Sequence, residues 1–217
     1  MEIDSQASRP VDALLAAYCA GSLSPALHAL VASHLAISSQ SVAYAAALEG
    51  VLSASLSAAT APPMADRDGR LAAIFDAPPP SPVAAPLPCA VLPPPLRRLI
   101  GREFSSIKWR ARLPGIRECN IALEGEGEAS LLWIKAGRKI PFHTHEGTEV
   151  TLVLRGAFHD ATGRYARGDL AIADAALDHQ PVADAYEDCI CFAVTDAPLR
   201  LTGPVGRIVE RLFRRAH

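Results

Sequence analysis

The sequence predicts an α+β chain of more than one domain, a small N-terminal helical bundle followed by a C-terminal β-barrel, and three observations carry that prediction. From Ala13 to Leu48 apolar residues recur at helical spacing without a single Asp, Glu, Lys or Arg among them. Between Pro62 and Pro95 proline recurs in clusters, as in "APPM", "DAPPPSPVAAPLP" and "LPPPL". Beyond Leu96 short runs with period two are separated by Gly, Pro and Asp turns, as in a barrel or sandwich. A chain of 217 residues can bury a core in each of two domains. The composition divides it into a helical domain over 1–77, a proline-rich linker over 78–95, and a barrel with a C-terminal helix over 96–217.

The first helix is "RPVDALLAAYCAG", with Leu14, Leu15 and Tyr18 on one face and Gly21 placed to stop it. "SPALHALVASHLA" opens with Ser24 as N-cap and Pro25 at the first helical position, and repeats Leu27, Leu30, Val31, His34 and Leu35 at helical spacing. A third helix runs from about Ser39 to Leu56. Asp66 is positioned to cap a short, detached fourth helix, "RDGRLAAIFD", with Leu71, Ile74 and Phe75 as its apolar face. The prolines that follow remove amide donors and favour extended backbone, so that stretch reads as linker rather than helix or central strand. The strands are "SLLWIKAG", "TEVTLVLRGAFHD", "GDLAIAD" and "DCICFAVTD", and "GRIVERLFRRA" closes the chain as a short helix.

A net charge of -2 lacks the basic excess that direct binding to nucleic acid requires, although Arg207, Arg211, Arg214 and Arg215 form a local cluster. The acidic start "MEIDSQASRPVDALL" is unlike a secretory signal, and the most apolar window, 42–61, is mostly Ala and Ser around Glu49, so neither export nor a membrane span is expected. Five cysteines without framework spacing fit a reducing, cytoplasmic setting. Cys189 and Cys191 lie two apart and share one strand face, where they read as small core residues.

The stretch "FHTHEGTEVTLVLRG" carries the chemistry. It reads Gly137-x5-His143-x-His145-x3-Glu149-x6-Gly156, the latter part alternating apolar and polar. His143 and His145 are two apart and point to the same side of a strand, and Glu149 can rejoin that side after the "EGT" turn. A second segment, opened by Gly168 and Asp169, supplies His179 ten residues after Asp169. Three imidazoles and one carboxylate suit one divalent ion, with zinc first and iron, manganese or nickel also compatible. The first segment resembles the first cupin motif at every position. The second is similar to the second cupin motif in spacing, with Asp174, Ala176 and Ala183 where the family has Pro, Gly and Asn.

With "DALLAAYCAGSLSPALHALVASHLAIS" ahead of the barrel and "DCICFAVTDAPLR" within it, nearly the whole chain resembles the ChrR-type anti-sigma factors. The resemblance implies a helical domain that holds a group IV (ECF) sigma factor inactive. It also implies a metal-bearing cupin that responds to singlet oxygen or organic hydroperoxides, with His143, His145, Glu149 and His179 as ligands. The family's N-terminal zinc signature is absent: after His34, Ser38 and Ser41 stand where two thiolates belong, and "QASRP" stands where an earlier histidine belongs. Serine hydroxyls are poor zinc ligands, so no zinc is expected there, and His34 reads as a helix residue satisfied by a neighbour. The charge-free helical surface implies a protein partner, with a homodimer as the alternative. A metal-dependent cupin enzyme of dioxygenase or isomerase type, with the helices as an oligomerisation domain, is the alternative function. Its candidate catalytic groups are His159, Asp160 and Tyr165, for which a salt-bridge or surface role is the ordinary reading.

Overall fold

The computed structural model describes residues 10–79, 89–122, 127–197 and 199–202. The expected C-terminal helix and the arginine cluster lie outside them. The helices are α1 (Pro10–Cys19), α2 (Pro25–Leu35), α3 (Ser39–Ser57), α4 (Arg67–Asp76) and α5 (Pro94–Ile100). The strands are β1 (Arg110–Leu113), β2 (Ile116–Ile121), β3 (Glu128–Ile134), β4 (His143–His145), β5 (Glu149–Arg155), β6 (Ala157–His159), β7 (Arg164–Ala166), β8 (Leu170–Ala173), β9 (Val182–Ala183), β10 (Cys189–Thr195) and β11 (Leu199–Leu201).

Local chemistry sets the helix ends. Gly21 adopts φ +68° just past α1, a left-handed conformation that costs a residue with a Cβ, and its amide closes on the Tyr18 carbonyl. The Ser24 hydroxyl accepts from the Leu27 amide to cap α2, with Pro25 where no amide is needed. Asp66 departs from its expected role: it takes φ 53° at the start of α4 and its side chain makes no cap hydrogen bond. The proline-rich stretch also departs at its end. Pro94 and Pro95 open α5, because proline is excluded only where an amide must donate to the preceding turn, and the first turn has no such demand. Val91, Leu92, Leu96 and Ile100 are buried there, so this part of the expected linker belongs to the core.

The main sheet has the order β1-β2-β3-β10-β5-β8, with every pairing antiparallel. Smaller sheets, β11-β4 and β7-β6-β9, complete the barrel. The main sheet has two apolar faces. On one, Leu131 of β3, Leu152 and Leu154 of β5, and Ile190 and Phe192 of β10 merge with Leu15, Leu30, Val31, Leu92 and Leu96 into one core. On the other, Ile116, Ile134, Val153, Cys189 and Cys191 pack with Phe158 inside the barrel. The expected alternation of apolar and polar residues along β5 is therefore replaced by burial from Val150 to Leu154, since helices cover the face that water would otherwise touch.

This docking accounts for part of the charge-free helical surface. α1 and α2 cover the sheet, whereas α3 leaves Val42, Val51, Leu52 and Leu56 exposed and α4 has no buried residue. No single helix among the described residues is long and apolar enough to cross a membrane.

Leu30 is 0% exposed at the joint of α2 with the sheet-facing core. Leu30→Ala is expected to destabilise the chain by about 2–5 kcal/mol, the cost of a buried leucine with incomplete collapse of its cavity. Denaturant unfolding followed by tryptophan fluorescence measures it, and a loss below about 1 kcal/mol would contradict a shared core.

Candidate metal centre

β4 presents His143 and His145 on one side, and an antiparallel bridge between His143 and His179 brings the second segment alongside. All three imidazoles are buried, and one nitrogen from each falls within 4.8 Å of the others. Nε2 of His179 lies 3.0 Å from Nε2 of His143 and 3.4 Å from Nε2 of His145. Two nitrogens on a tetrahedral ion at about 2.0–2.1 Å stand roughly 3.3 Å apart, which these spacings bracket.

The opposite ring nitrogens explain why the Nε2 atoms are left for a ligand. Nδ1 of His143 donates to the Pro141 carbonyl at 2.9 Å, and Nδ1 of His179 donates to Oδ2 of Asp160 at 2.7 Å. With Nδ1 donating, the Nε2 atom of the neutral His143 ring carries its lone pair, and it faces Nε2 of His179 at 3.0 Å, where a cation between the two rings would be bound by both. Burial, opposed by the hydrogen bond to Pro141, pushes His143 down to about 4, and burial also lowers His145, so both rings are held neutral. The donor set fits a divalent metal.

Glu149 lies on the same wall. Its Oε2 stands 3.9 Å from Nδ1 of His145, a buried nitrogen with no hydrogen-bond partner among the described residues, and its Oε1 accepts from the Thr151 hydroxyl at 3.1 Å. Burial raises its pKa. Cys189 and Cys191 face the barrel interior with Sγ atoms 3.5 Å apart. Contact with Cys189 and burial push the Cys191 thiol up, which keeps it protonated.

Among the enzyme candidates only Asp160 reaches the centre, by gripping His179 rather than by facing substrate. Its Oδ1 accepts the Thr162 amide at 2.8 Å and the Thr162 hydroxyl at 2.5 Å, so the carboxylate is held from both sides. Its side chain is 2% exposed, so the surface part of its expected role does not hold. The legible signal is "DATG", an Asp two residues ahead of a Thr in a hairpin turn, which leaves one carboxylate oxygen free. His159 is half exposed and faces Asp184 at 3.6 Å, and the Tyr165 hydroxyl meets Thr162 at 2.8 Å.

His34 is satisfied by neighbours, as its setting implied. Its Nδ1 meets the Gly168 carbonyl at 2.6 Å and its Nε2 meets the Ser41 hydroxyl at 2.7 Å, with Ser38 donating to Ser41 at 3.2 Å. Burial lowers its pKa, so Nδ1–H donates to Gly168 and Nε2 accepts from Ser41. Gly168 has φ +95°, and a Cβ there would meet Cγ2 of Ile37 at 2.8 Å, so the close approach of α2 to the barrel needs glycine.

Fold and site together define a cupin whose barrel holds a buried group of three histidines that could bind a metal, with a helical domain built onto the outside of its sheet. The family model of the ChrR cupin-like domain matches residues 98–198. The anti-sigma-E factor ChrR of Cereibacter sphaeroides is 43% identical over 208 residues, covering 94% of this chain and 96% of its own length. The crystal structure of Rhodobacter sphaeroides SigE in complex with the anti-sigma ChrR matches with a TM-score of 0.73 at 40% identity, over 85% of this chain and 96% of that one. This chain belongs to the ChrR family of anti-sigma factors, which sets the regulatory reading above the enzymatic one.

Asp160→Asn keeps the shape but removes the charge that orients His179. Metal affinity is expected to fall by about 10–100-fold, measured by competition with a chelator of known affinity, and an unchanged affinity would remove Asp160 from the centre.

The lowered histidines also set a pH dependence. Between about pH 6.5 and 4 the unfolded chain protonates His143 while the folded chain holds it neutral, and the lowered His34 and His145 act in the same direction below about 6.5, so the metal-free protein is fully stabilised above that pH and loses stability as pH falls below it. Glu149, with its raised pKa, opposes this by one group against three. Urea midpoints of chelator-treated protein across that range are expected to drop with pH, and a flat profile would contradict the neutral assignments.

Proposed function

We propose that this protein holds a group IV (ECF) sigma factor inactive through its helical domain, and that a cupin loaded with one divalent metal releases that hold in response to oxidants such as singlet oxygen or an organic hydroperoxide. The observation that carries the first half is the uncovered apolar surface of α3 and α4. Val51 is 68% exposed, Leu56 76%, Ile74 69% and Phe75 79%, and the last two sit on a helix with no buried residue. Contiguous apolar surface of this kind marks a binding site, and an amphipathic helix on a tether suits a partner groove. Similarity over nearly the full length to an anti-sigma factor, and to ChrR as crystallised with SigE, supports the same partner class. A sigma factor acts on polymerase in the cytoplasm, which sets the compartment.

For the metal, the three histidines are joined by Glu149 as fourth ligand. Its position on the same barrel wall supports this, as does the gain in placing a carboxylate that burial penalises against a cation. Imidazole-rich sets without thiolate suit zinc, and also iron, manganese or nickel. When bound, the ion supplies a Lewis-acidic coordination position at the barrel interior. The helical domain needs no second ion, because both nitrogens of His34 are already engaged by Gly168 and Ser41.

Co-expression with its cognate ECF sigma factor is expected to yield a stoichiometric complex containing about one metal per chain. Ile74→Glu with Phe75→Glu is expected to weaken that complex by at least about tenfold without changing the metal content, because the substitutions place charge in an apolar contact away from the metal ligands. Equal affinity of the double variant would move the sigma-binding surface elsewhere, and full metal content in a His143→Ala, His145→Ala, His179→Ala variant would refute the centre.

A further inference from the structure

The barrel interior is not filled by its own side chains. A cavity of about 420 Å³ lies against the histidines, within the size range of sites that bury a small organic molecule. On β8 the inward positions are Ala171 and Ala173, and they pair across the sheet with Thr151 and Glu149 of β5. Room is therefore left where two methyl groups face a hydroxyl and a carboxylate. The rest of the wall is mainly aliphatic and aromatic, carried by Ile116, Leu132, Ile134 and Phe158. Leu113 and Leu199 also line it and are 40% and 45% exposed, so the cavity reaches solvent past an apolar rim.

Water suits this space poorly. At roughly 30 Å³ each, on the order of a dozen waters would fill it, and each buried water needs about two to four polar partners. Arg112 and Glu118 pair with each other, which leaves His143, His179, Glu149 and Thr151, gathered at the histidine end, as the polar side chains of the wall. An anion suits it no better. Besides Glu149, the buried Asp160 carboxylate stands 2.7 Å from the His179 ring. With a divalent ion bound, these two carboxylates balance its charge, and without one they leave no net positive charge for an anion to meet. The chemistry of the walls therefore selects an uncharged occupant.

The histidine end also defines that occupant's polar group. Nδ1 of His143 donates to Pro141, so its Nε2 is an acceptor. A carboxylate has about four acceptor sites, and on Glu149 the Thr151 hydroxyl takes one of them. A hydroxyl complements this end, because its proton satisfies the carboxylate while its oxygen can still meet a cation held by the histidines. We propose that the barrel is a binding site for an uncharged aliphatic alcohol, whose hydroxyl donates to Glu149 and whose hydrocarbon chain lies against Ile116, Leu132 and Phe158. This goes beyond the reading under Proposed function, and the selection of an uncharged ligand holds with or without the ion.

Isothermal titration of the full-length protein, with its metal content measured alongside, tests this with butanol, hexanol, octanol, octanoate and heptyl methyl ether. Octanol is expected to bind at one per chain, with affinity rising by up to about fourfold for each methylene added from butanol. Octanoate brings a further negative charge beside Glu149 and is expected to bind at least about tenfold more weakly. Heptyl methyl ether matches octanol in size but has no proton to donate, and it is also expected to bind at least about tenfold more weakly, since a hydrogen bond to a carboxylate is lost. Octanol no tighter than butanol would show that the cavity takes no chain. Octanoate as tight as octanol would show that charge is not discriminated, and the ether as tight as octanol would show that Glu149 accepts no hydroxyl. Any of these results overturns the proposal. Ala171→Phe fills the space beside Thr151 and is expected to abolish octanol binding with an unchanged far-UV circular dichroism spectrum, and the smaller Ala171→Leu is expected to weaken it. Native affinity in a folded variant of either kind would also overturn the proposal. Octanol binding with metal near zero supports the alcohol site and removes the metal assignment, whereas metal near one per chain without saturable octanol binding removes the alcohol site alone.

Discussion

The molecule depends on a six-stranded antiparallel sheet whose central strands have no wet face. Antiparallel sheets commonly give one side to the core and one to water, and their strands then alternate in polarity. Here β5 and β10 bury residues on both sides, because α1, α2 and α5 lie on one face and the barrel interior occupies the other. Each buried residue of these strands therefore belongs either to the helical core or to the barrel interior, and neighbours in the chain belong to different ones. Leu152 and Leu154 face the helices, whereas Val153 between them faces the barrel. A displacement of β5 or β10 that starts on the barrel side must alter the surface on which the helices rest, since packed cores transmit shifts instead of absorbing them.

A polar contact stands at the edge of the same joint. His34 reaches from α2 to the Gly168 carbonyl in the turn before β8, while Ser41 and Ser38 complete its other side. The serines provide what the imidazole needs in a dry setting, a donor for Nε2 opposite an acceptor for Nδ1–H. Burial of a polar side chain costs free energy when its partners are missing and little when both are present. Tyr165, Thr162 and Asp160 lie on the adjoining hairpin and end at His179, so residues 159–170 touch the buried histidine group at one end and the helical domain at the other. That arrangement gives the proposed signalling a short physical route in this chain.

Much of this architecture is legible in the sequence. The helices α1 to α4 follow from apolar period, caps and the glycine at position 21, all of which act within a few residues of chain. The buried histidine group is legible because strand geometry fixes which side residues 143 and 145 share, and because His179 follows at motif spacing. α5 is hidden because two prolines at a helix start look the same in sequence as prolines in a linker, and only the buried Leu92, Leu96 and Ile100 distinguish them. The role of Asp160 is hidden because its partner His179 is nineteen residues away, and no local rule connects an Asx turn to a ring that far along the chain.

What the sequence determines by itself, then, is what short-range stereochemistry controls: the periods of α1 to α4, the Gly21 and Ser24 ends, strand faces, the residue types of the candidate metal group, and the lack of thiolates after His34. Tertiary structure alone decides that the helices share a core with the barrel sheet, that Asp160 holds His179, and that Ala171 and Ala173 leave space beside Glu149. Those outcomes depend on which distant surfaces meet. An apolar residue has no directional preference of its own, so the sequence states that Leu30 or Leu152 will be buried without stating against what.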